Sequence, residues 1–345
     1  MIDFTKLSSP LANTIKVNGD EYLYFGGTAY LGIPQSDDFL KLYIEGIKKY
    51  GINNGTSRAN NVQLSIYDEV EAYTAERFGS ESALITSSGY LAAQMVMQNL
   101  AGFGEIRYAP ASHPALWLTG DPKESGSFTE WSSNLVDEIN GSDKENWLIV
   151  TNSMNNLYPE IYDFSFVRKL NKQVVLVVDD SHGIGINHNG LSALSVIPQS
   201  ENIKTVLVAS MAKALGVDAG LVLGPLEIIT HLKQTNMFLG ASPASAAGLY
   251  AFKNGSEIYE NQLSKLKNNT AKVAEVLAKS NNWHFINQFP VFLAKNADLS
   301  ARLLQQKILV SSFPYPDKNG PTVNRIVLSS WHSEADIEKL LQAIT

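Results

Sequence analysis

VVLVVDDSHGIG, residues 174–185, decides how the rest of the chain is read. Five apolar residues, four of them valine, give way at once to two aspartates, a serine, a histidine and two glycines. A run this short and this apolar is a strand covered on both faces, which places it in the mainly parallel sheet of an α/β domain. Successive side chains of a strand point to opposite faces, so at most one of Asp179 and Asp180 reaches a given pocket. The same pattern recurs along the chain: ALIT (83–86) before SSGY and a helix-like LAAQMVMQNLAG, WLIVT (147–151) before NSMNN, and TVLVA (205–209) before SMAKALG. Ligands of such sheets lie beyond the carboxyl ends of the strands. Three of these runs end in residues able to do chemistry.

Outward from the sheet, residues 65–77 carry Ile66, Tyr67, Val70 and Tyr73 at helical spacing, with Gly79 as the stop. Residues 243–280 predict a long helical stretch that bends near Gly255 and presents Leu263, Leu266, Val273 and Leu277 on one face. Strands at 291–294, 308–312 and 325–329 and helices at 298–307 and 333–344 follow, with Ser333 as the last N-cap. The expected organisation is an amino-terminal segment at 1–45, a large domain at 46–240 and a small carboxy-terminal α/β domain at 241–345 that packs with the amino-terminal segment.

Composition narrows the function. The 345 residues hold 27 Lys+Arg against 34 Asp+Glu, a net charge of −7, and no basic run, which argues against a nucleic-acid partner. The absence of cysteine excludes disulfides, thiolate zinc sites, iron–sulfur clusters and cysteine nucleophiles. No apolar run approaches the roughly 20 residues of a membrane span, and MIDFTKLSSPLAN lacks a signal-peptide pattern. A soluble, cytoplasmic protein is expected.

Lys213 follows the TVLVA strand among small residues, where a desolvated amine can form a Schiff base; the plainer reading is a solvated helix lysine. A carboxylate ending VVLVV can hold a ring nitrogen protonated, as pyridoxal phosphate (PLP) requires, or can serve the turn. Ser88, Gly89 and Tyr90 open a helix whose free amides would cradle a phosphate, unless Ser88 is only an N-cap. His113, after Ala109-Pro110-Ala111-Ser112, could lie against a flat ring or pack structurally. Arg58 and Arg325 stand out among six arginines as grips for a substrate carboxylate, a surface ion pair being the alternative for each. The remaining histidines, His188, His231, His284 and His332, show no metal spacing, and no metal is assigned. HGIGINHNG is not a dinucleotide fingerprint and no GxxxxGK[ST] exists, which disfavours a nicotinamide-binding oxidoreductase. Phosphate cradle, ring-facing histidine, strand-end aspartate and strand-end lysine come in the order one PLP molecule needs.

In that ordered set the chain resembles the α-oxoamine synthase family of fold-type I PLP-dependent enzymes, which includes 8-amino-7-oxononanoate synthase, 2-amino-3-ketobutyrate CoA ligase, 5-aminolevulinate synthase and serine palmitoyltransferase. The resemblance runs from Tyr24-Phe25 and Tyr30-Leu31-Gly32 (family NDYLGL) through Gly55 to Arg58 (GSR), Ser88-Gly89-Tyr90, His113 (HAS), Asp179 to Gly183 (DEAHG) and Ser210 to Gly216 (GTxSKAxG) to the Ser-x-x-His of Ser329 and His332. It implies a PLP-binding large domain and a homodimer, with FLGASPAS (238–245) near the partner's phosphate. It implies a Schiff base on Lys213, which also shuttles the Cα proton. Asp179 would bond the pyridinium nitrogen, His182 the phenolic oxygen, and His113 would stack on the ring. Ser210 would join the Gly89 and Tyr90 amides on the phosphate, and Arg325 would hold the substrate carboxylate.

The activity implied is condensation of an amino acid with an acyl-CoA to an amino ketone. An aminotransferase or carbon–carbon lyase of the same fold is the alternative, and a non-catalytic partner subunit a further one. The chain departs from the family pattern in several places. NSMNNLYPE (152–160) replaces SMDGD, with Asn156 the nearest match to its serine, another cofactor contact. Pro114 and Ala115 follow His113, Ala212 precedes the lysine, and Thr28 replaces the asparagine of NDYLGL. FPYP (313–316) stands where 8-amino-7-oxononanoate synthases have an arginine, which favours a ligase-like carboxylate contact.

Overall fold

The structure, a computed structural model, describes residues 3–155, 157–314 and 319–344. It contains two compact units. The larger comprises Asp38–Asn155 and Ile161–Ser256; the smaller takes the chain up to Asp37, a short piece ending at Glu160, and the chain from Glu257 on.

The larger unit is built on a sheet of six strands among the described residues. Their order is Ser82–Thr86, Gly220–Gly224, Ile203–Ser210, Gln173–Asp179, Asn146–Asn152 and Glu105–Tyr108. Gly220–Gly224 runs antiparallel to both neighbours, and the other pairings are parallel. The four apolar runs are strands of this sheet, as their lack of polar alternation requires. Val175 and Val177 join Val206, Val208 and the helix Gly89–Leu100 in one core cluster, while Leu176, Val178 and Leu207 are equally buried on the other face. Each such side chain contributes about 1.5–3 kcal/mol by leaving water.

Two strands carry no clear sequence signal. Glu105–Tyr108 is an edge strand whose Arg107 pairs with Glu138 and covers the Trp147 ring, so it reads as polar. Gly220–Gly224 opens on a glycine because a Cβ at Gly220 would lie 2.0 Å from Ser88 O.

The helix Ile66–Phe78 ends on left-handed Gly79 (φ 67°), and a break at Gly255 separates Ala246–Asn254 from Ser256–Leu277. Ala246–Asn254 stays with the larger unit. There Gly46 of the helix Asp37–Tyr50 approaches Ala247 so closely that a Cβ would meet its backbone at 2.8 Å, and the Tyr43 and Ser245 hydroxyls are 3.1 Å apart. The units accordingly divide at Asp37/Asp38 and Ser256/Glu257, where the sequence suggested 45/46 and 240/241.

The smaller unit has its own sheet, ordered Thr14–Val17, Asp20–Phe25, Ile308–Pro314, Thr322–Val327, Val291–Ala294 and Trp283–His284 among the described residues. Ser333 and Asp336 cap the helix Glu334–Ile344 reciprocally: Asp336 N–H donates to Ser333 Oγ and Ser333 N–H to Asp336 Oδ2. His332 stacks on Phe25 at 4.2 Å and lies 2.9 Å from Tyr24 O through Nε2, which binds the Ser-x-x-His segment to the Asp20–Phe25 strand. No helix among the described residues is long and apolar enough to cross a membrane.

Arg58, one of the two candidate carboxylate grips, is engaged inside the larger unit. It pairs with Asp68 and Glu71, and its guanidinium lies 4.7 Å from the Tyr67 ring and 5.1 Å from that of Phe238. Glu71 is buried and also accepts from Lys233 Nζ (2.6 Å) and Ile85 N–H (3.1 Å), so it joins a helix, a strand and a loop. Removing Glu71 leaves the largely buried Arg58 guanidinium without its buried carboxylate partner. Glu71→Ala is therefore expected to destabilise the protein by about 3 kcal/mol, read as a lower urea midpoint at unchanged slope.

Candidate active site

Ladder register sets the site in the larger unit. Asn152 stands beside Asp179, and Asp179 beside Val208, two residues before Ser210. A chain of hydrogen bonds then crosses the strand ends. Ser181 N–H donates to Asp179 Oδ1 (2.9 Å), and Ser210 N–H donates to Ser181 Oγ (2.9 Å). The plane of the buried Asp179 carboxylate is thereby tied to the neighbouring strand.

Lys213 is half-buried with Nζ 3.1 Å from His182 Nε2. Burial holds its pKa below the ordinary lysine value, and the charge of Asp179 opposes that fall. His113 is also lowered, first by burial and then by Lys213, with Asp179 again opposing. A neutral imidazole follows, and its Nδ1 accepts from Ala115 N–H at 3.1 Å. The structure brings Lys213, His113, His182 and Asp179 together.

Ser88 caps the helix Gly89–Leu100, its Oγ accepting from Leu91 N–H. Gly89 lies against Ser210, where a Cβ would come within 2.6 Å of the serine's own Cβ. Ser88, Gly89, Tyr90 and Ser210 therefore converge. The Gly89 and Tyr90 amides lie in the first turn, where no intrahelical acceptor exists and an anion is favoured. The Tyr90 ring is exposed, which leaves its amide as its contribution.

Arg325 belongs to the smaller unit, buried on the strand Thr322–Val327 with its guanidinium 5.6 Å from the Phe313 ring. Asn156, like Tyr315 and Pro316, lies outside the described residues. Sequence reasoning missed Ser181 and Asn152. Both have only one signal, their place at or just past the end of an apolar run.

Residues 125–344 match the family described as aminotransferase class I and II. The 8-amino-7-oxononanoate synthase of Petrotoga mobilis is 25% identical over 360 residues, spanning 98% of this chain and 91% of that protein. The serine palmitoyltransferase of Sphingomonas wittichii superposes with a TM-score of 0.81 at 17% identity, covering 99% of this chain and 90% of that one. The 8-amino-7-oxononanoate synthase of Francisella tularensis does so at 0.73 and 20%, covering 94% and 96%.

The chain belongs to the aminotransferase class I and II family. Its fold is that of fold-type I PLP-dependent transferases, and PLP is its cofactor. The donor set fits that group: a strand-end carboxylate held in one plane, an amine of lowered basicity, a neutral imidazole, and a helix start that a single Cβ at position 89 would obstruct.

Asp180 turns the other way, its Oδ2 accepting from Ala193 N–H at 2.9 Å. Burial pushes its pKa up to about 7, with Ser153 and the Ala193 amide opposing and Asp179 adding to the rise. Between the ordinary aspartate value of 3.8 and about 7, the folded protein keeps a proton that the unfolded chain has released. This group's contribution to stability is whole below the lower value, declines as pH rises and is gone above the upper one. Asp180→Asn should remove that slope. Urea midpoints near pH 4 and near pH 8 should differ less in the variant than in the native chain.

Proposed function

We propose that the chain is an α-oxoamine synthase-like acyltransferase, working as a cytoplasmic homodimer. It would condense an amino acid with an acyl-CoA to give an amino ketone, free CoA and CO2. One observation carries the reading: an amine whose basicity burial has lowered, 3.1 Å from His182 and under the charge of Asp179. It occurs in a chain similar along its length to 8-amino-7-oxononanoate synthases.

When bound, PLP supplies an electron sink for the pair left on the amino acid's Cα. The chain's residues supply the rest. Asp179 would keep a proton on the ring nitrogen, His182 would bond the phenolic oxygen, and His113 would cover a ring face. The Gly89 and Tyr90 amides and the Ser210 hydroxyl would hold the phosphate. Lys213 would anchor the cofactor and, once released, take the Cα proton on Nζ; a base whose pKa is lowered toward neutrality suits that task. Arg325 is assigned to the substrate carboxylate, through two parallel hydrogen bonds.

Homodimer formation is what the resemblance to α-oxoamine synthases implies, and the large apolar side chains of Ile52 (84% exposed) and Val62 (72% exposed) leave surface for a second copy to cover. A non-catalytic role is disfavoured by the presence of both Lys213 and Asp179.

The visible spectrum of the protein with PLP, titrated with glycine, alanine, serine and threonine, should show a cofactor band that one amino acid shifts and that Lys213→Ala lacks. That amino acid plus an acyl-CoA should then release free thiol, at a rate at least ~10²-fold lower in Lys213→Ala. A new amino acid formed from a 2-oxo acid, with no thiol released, would establish the aminotransferase instead.

A further inference from the structure

Asn152 ends the strand Asn146–Asn152, buried and in register beside Asp179. Both ends of its side-chain amide are used on one short segment: Nδ2 donates to Ala111 O at 2.7 Å, and Oδ1 accepts from His113 N–H at 3.1 Å. Between those bonds the chain does something costly. Ala111 has φ +57°, the left-handed region, where Cβ crowds the carbonyl oxygen and residues other than glycine seldom stay. Such a conformation persists only where the surroundings over-determine it. Beyond the turn, the His113 ring is held through Nδ1 by Ala115 N–H. Backbone position and ring direction at His113 are thus set by two separate hydrogen bonds, the first of them from Asn152.

We propose that Asn152 is the positioning residue that clamps the 111–113 turn and thereby fixes the face that His113 presents to the PLP ring. This rests on the reading of His113 as the ring-facing residue. The role calls for an amide, because it needs a donor and an acceptor on one planar group. An aspartate would keep the acceptor for His113 N–H, lose the donor for Ala111 O, and set a second carboxylate beside Asp179. The strand ladder gives the clamp its purpose. By standing in register with Asp179, Asn152 holds the ring-covering group and the ring-nitrogen partner to one another through backbone hydrogen bonds.

The test uses the full chain, with and without PLP. Asn152→Ala and Asn152→Asp should each weaken PLP binding about tenfold, the scale of one lost buried hydrogen bond, and reduce the visible circular dichroism of the bound cofactor. In the cofactor-free protein, Asn152→Ala should move the His113 ring resonance, identified by its loss in His113→Ala, and leave that of His332 in place. Ala111→Gly separates the clamp from a general loss of folding, since glycine adopts the left-handed conformation unaided. Combined with Asn152→Ala it should recover most of the lost affinity and dichroism. If His113→Ala lowers both signals and Asn152→Ala lowers neither, the clamp is wrong and the reading of His113 stands. If His113→Ala itself changes neither, the reading of His113 fails and the clamp loses its purpose. If Asn152→Ala weakens binding and Ala111→Gly recovers nothing, the turn is not what Asn152 holds, and the proposal is overturned.

Discussion

Lateral hydrogen bonding of Gln173–Asp179 to a parallel strand on each side is the constraint from which the site follows. Five consecutive apolar side chains of this strand are buried, on alternating faces, so a slip of one residue would exchange its two faces and carry Asp179 away with them. The packing that stabilises the larger unit and the placement of its most important carboxylate are therefore one arrangement. Asn152 and Ser210 inherit their positions from the same ladder, one as a direct neighbour and the other through Ser181.

Around that frame the charges are distributed unevenly. Asp179 favours the charged forms of both Lys213 and His113, while burial works against both. Asp180, one residue on, is driven by burial toward its neutral form. Strand geometry gives the adjacent aspartates different surroundings, sending Asp179 toward an amine and an imidazole and Asp180 beneath the Ala193 turn. A second carboxylate charged beside the first would raise the cost of keeping either buried.

What was legible in the sequence is what short-range physics writes there. The VVLVV run gave away a strand covered on both faces, Gly79 marked a helix end, and the residues after each apolar run marked the sheet's working edge, while the bend expected near Gly255 is a full break between two helices. The cluster of Lys213, Asp179, His182 and His113 followed from chain order and family pattern. Asn152 was not legible as a partner of Ala111 and His113, because it meets them across some forty residues of chain and no periodicity encodes such a bond. Arg58 has the chemistry of a carboxylate grip and the surroundings of an internal ion pair, and only the fold reveals Glu71 and Asp68 beside it. Gly220–Gly224 was hidden for a different reason: its first glycine answers to the backbone of Ser88, not to any local preference.

The reversed direction of that strand has a mechanical consequence for the lysine. Ser210 pairs with Gly220, Met211 N–H donates to Ala219 O, and Val217 N–H to Met211 O, so residues 211–219 form a hairpin loop tied at both feet to adjacent strands. Little chain freedom remains in so short a closed loop. The lysine's Cα is in effect a fixed pivot, and Nζ can visit only what its four-carbon stem sweeps. Any partner that leaves the amine and returns to it must do so within that arc.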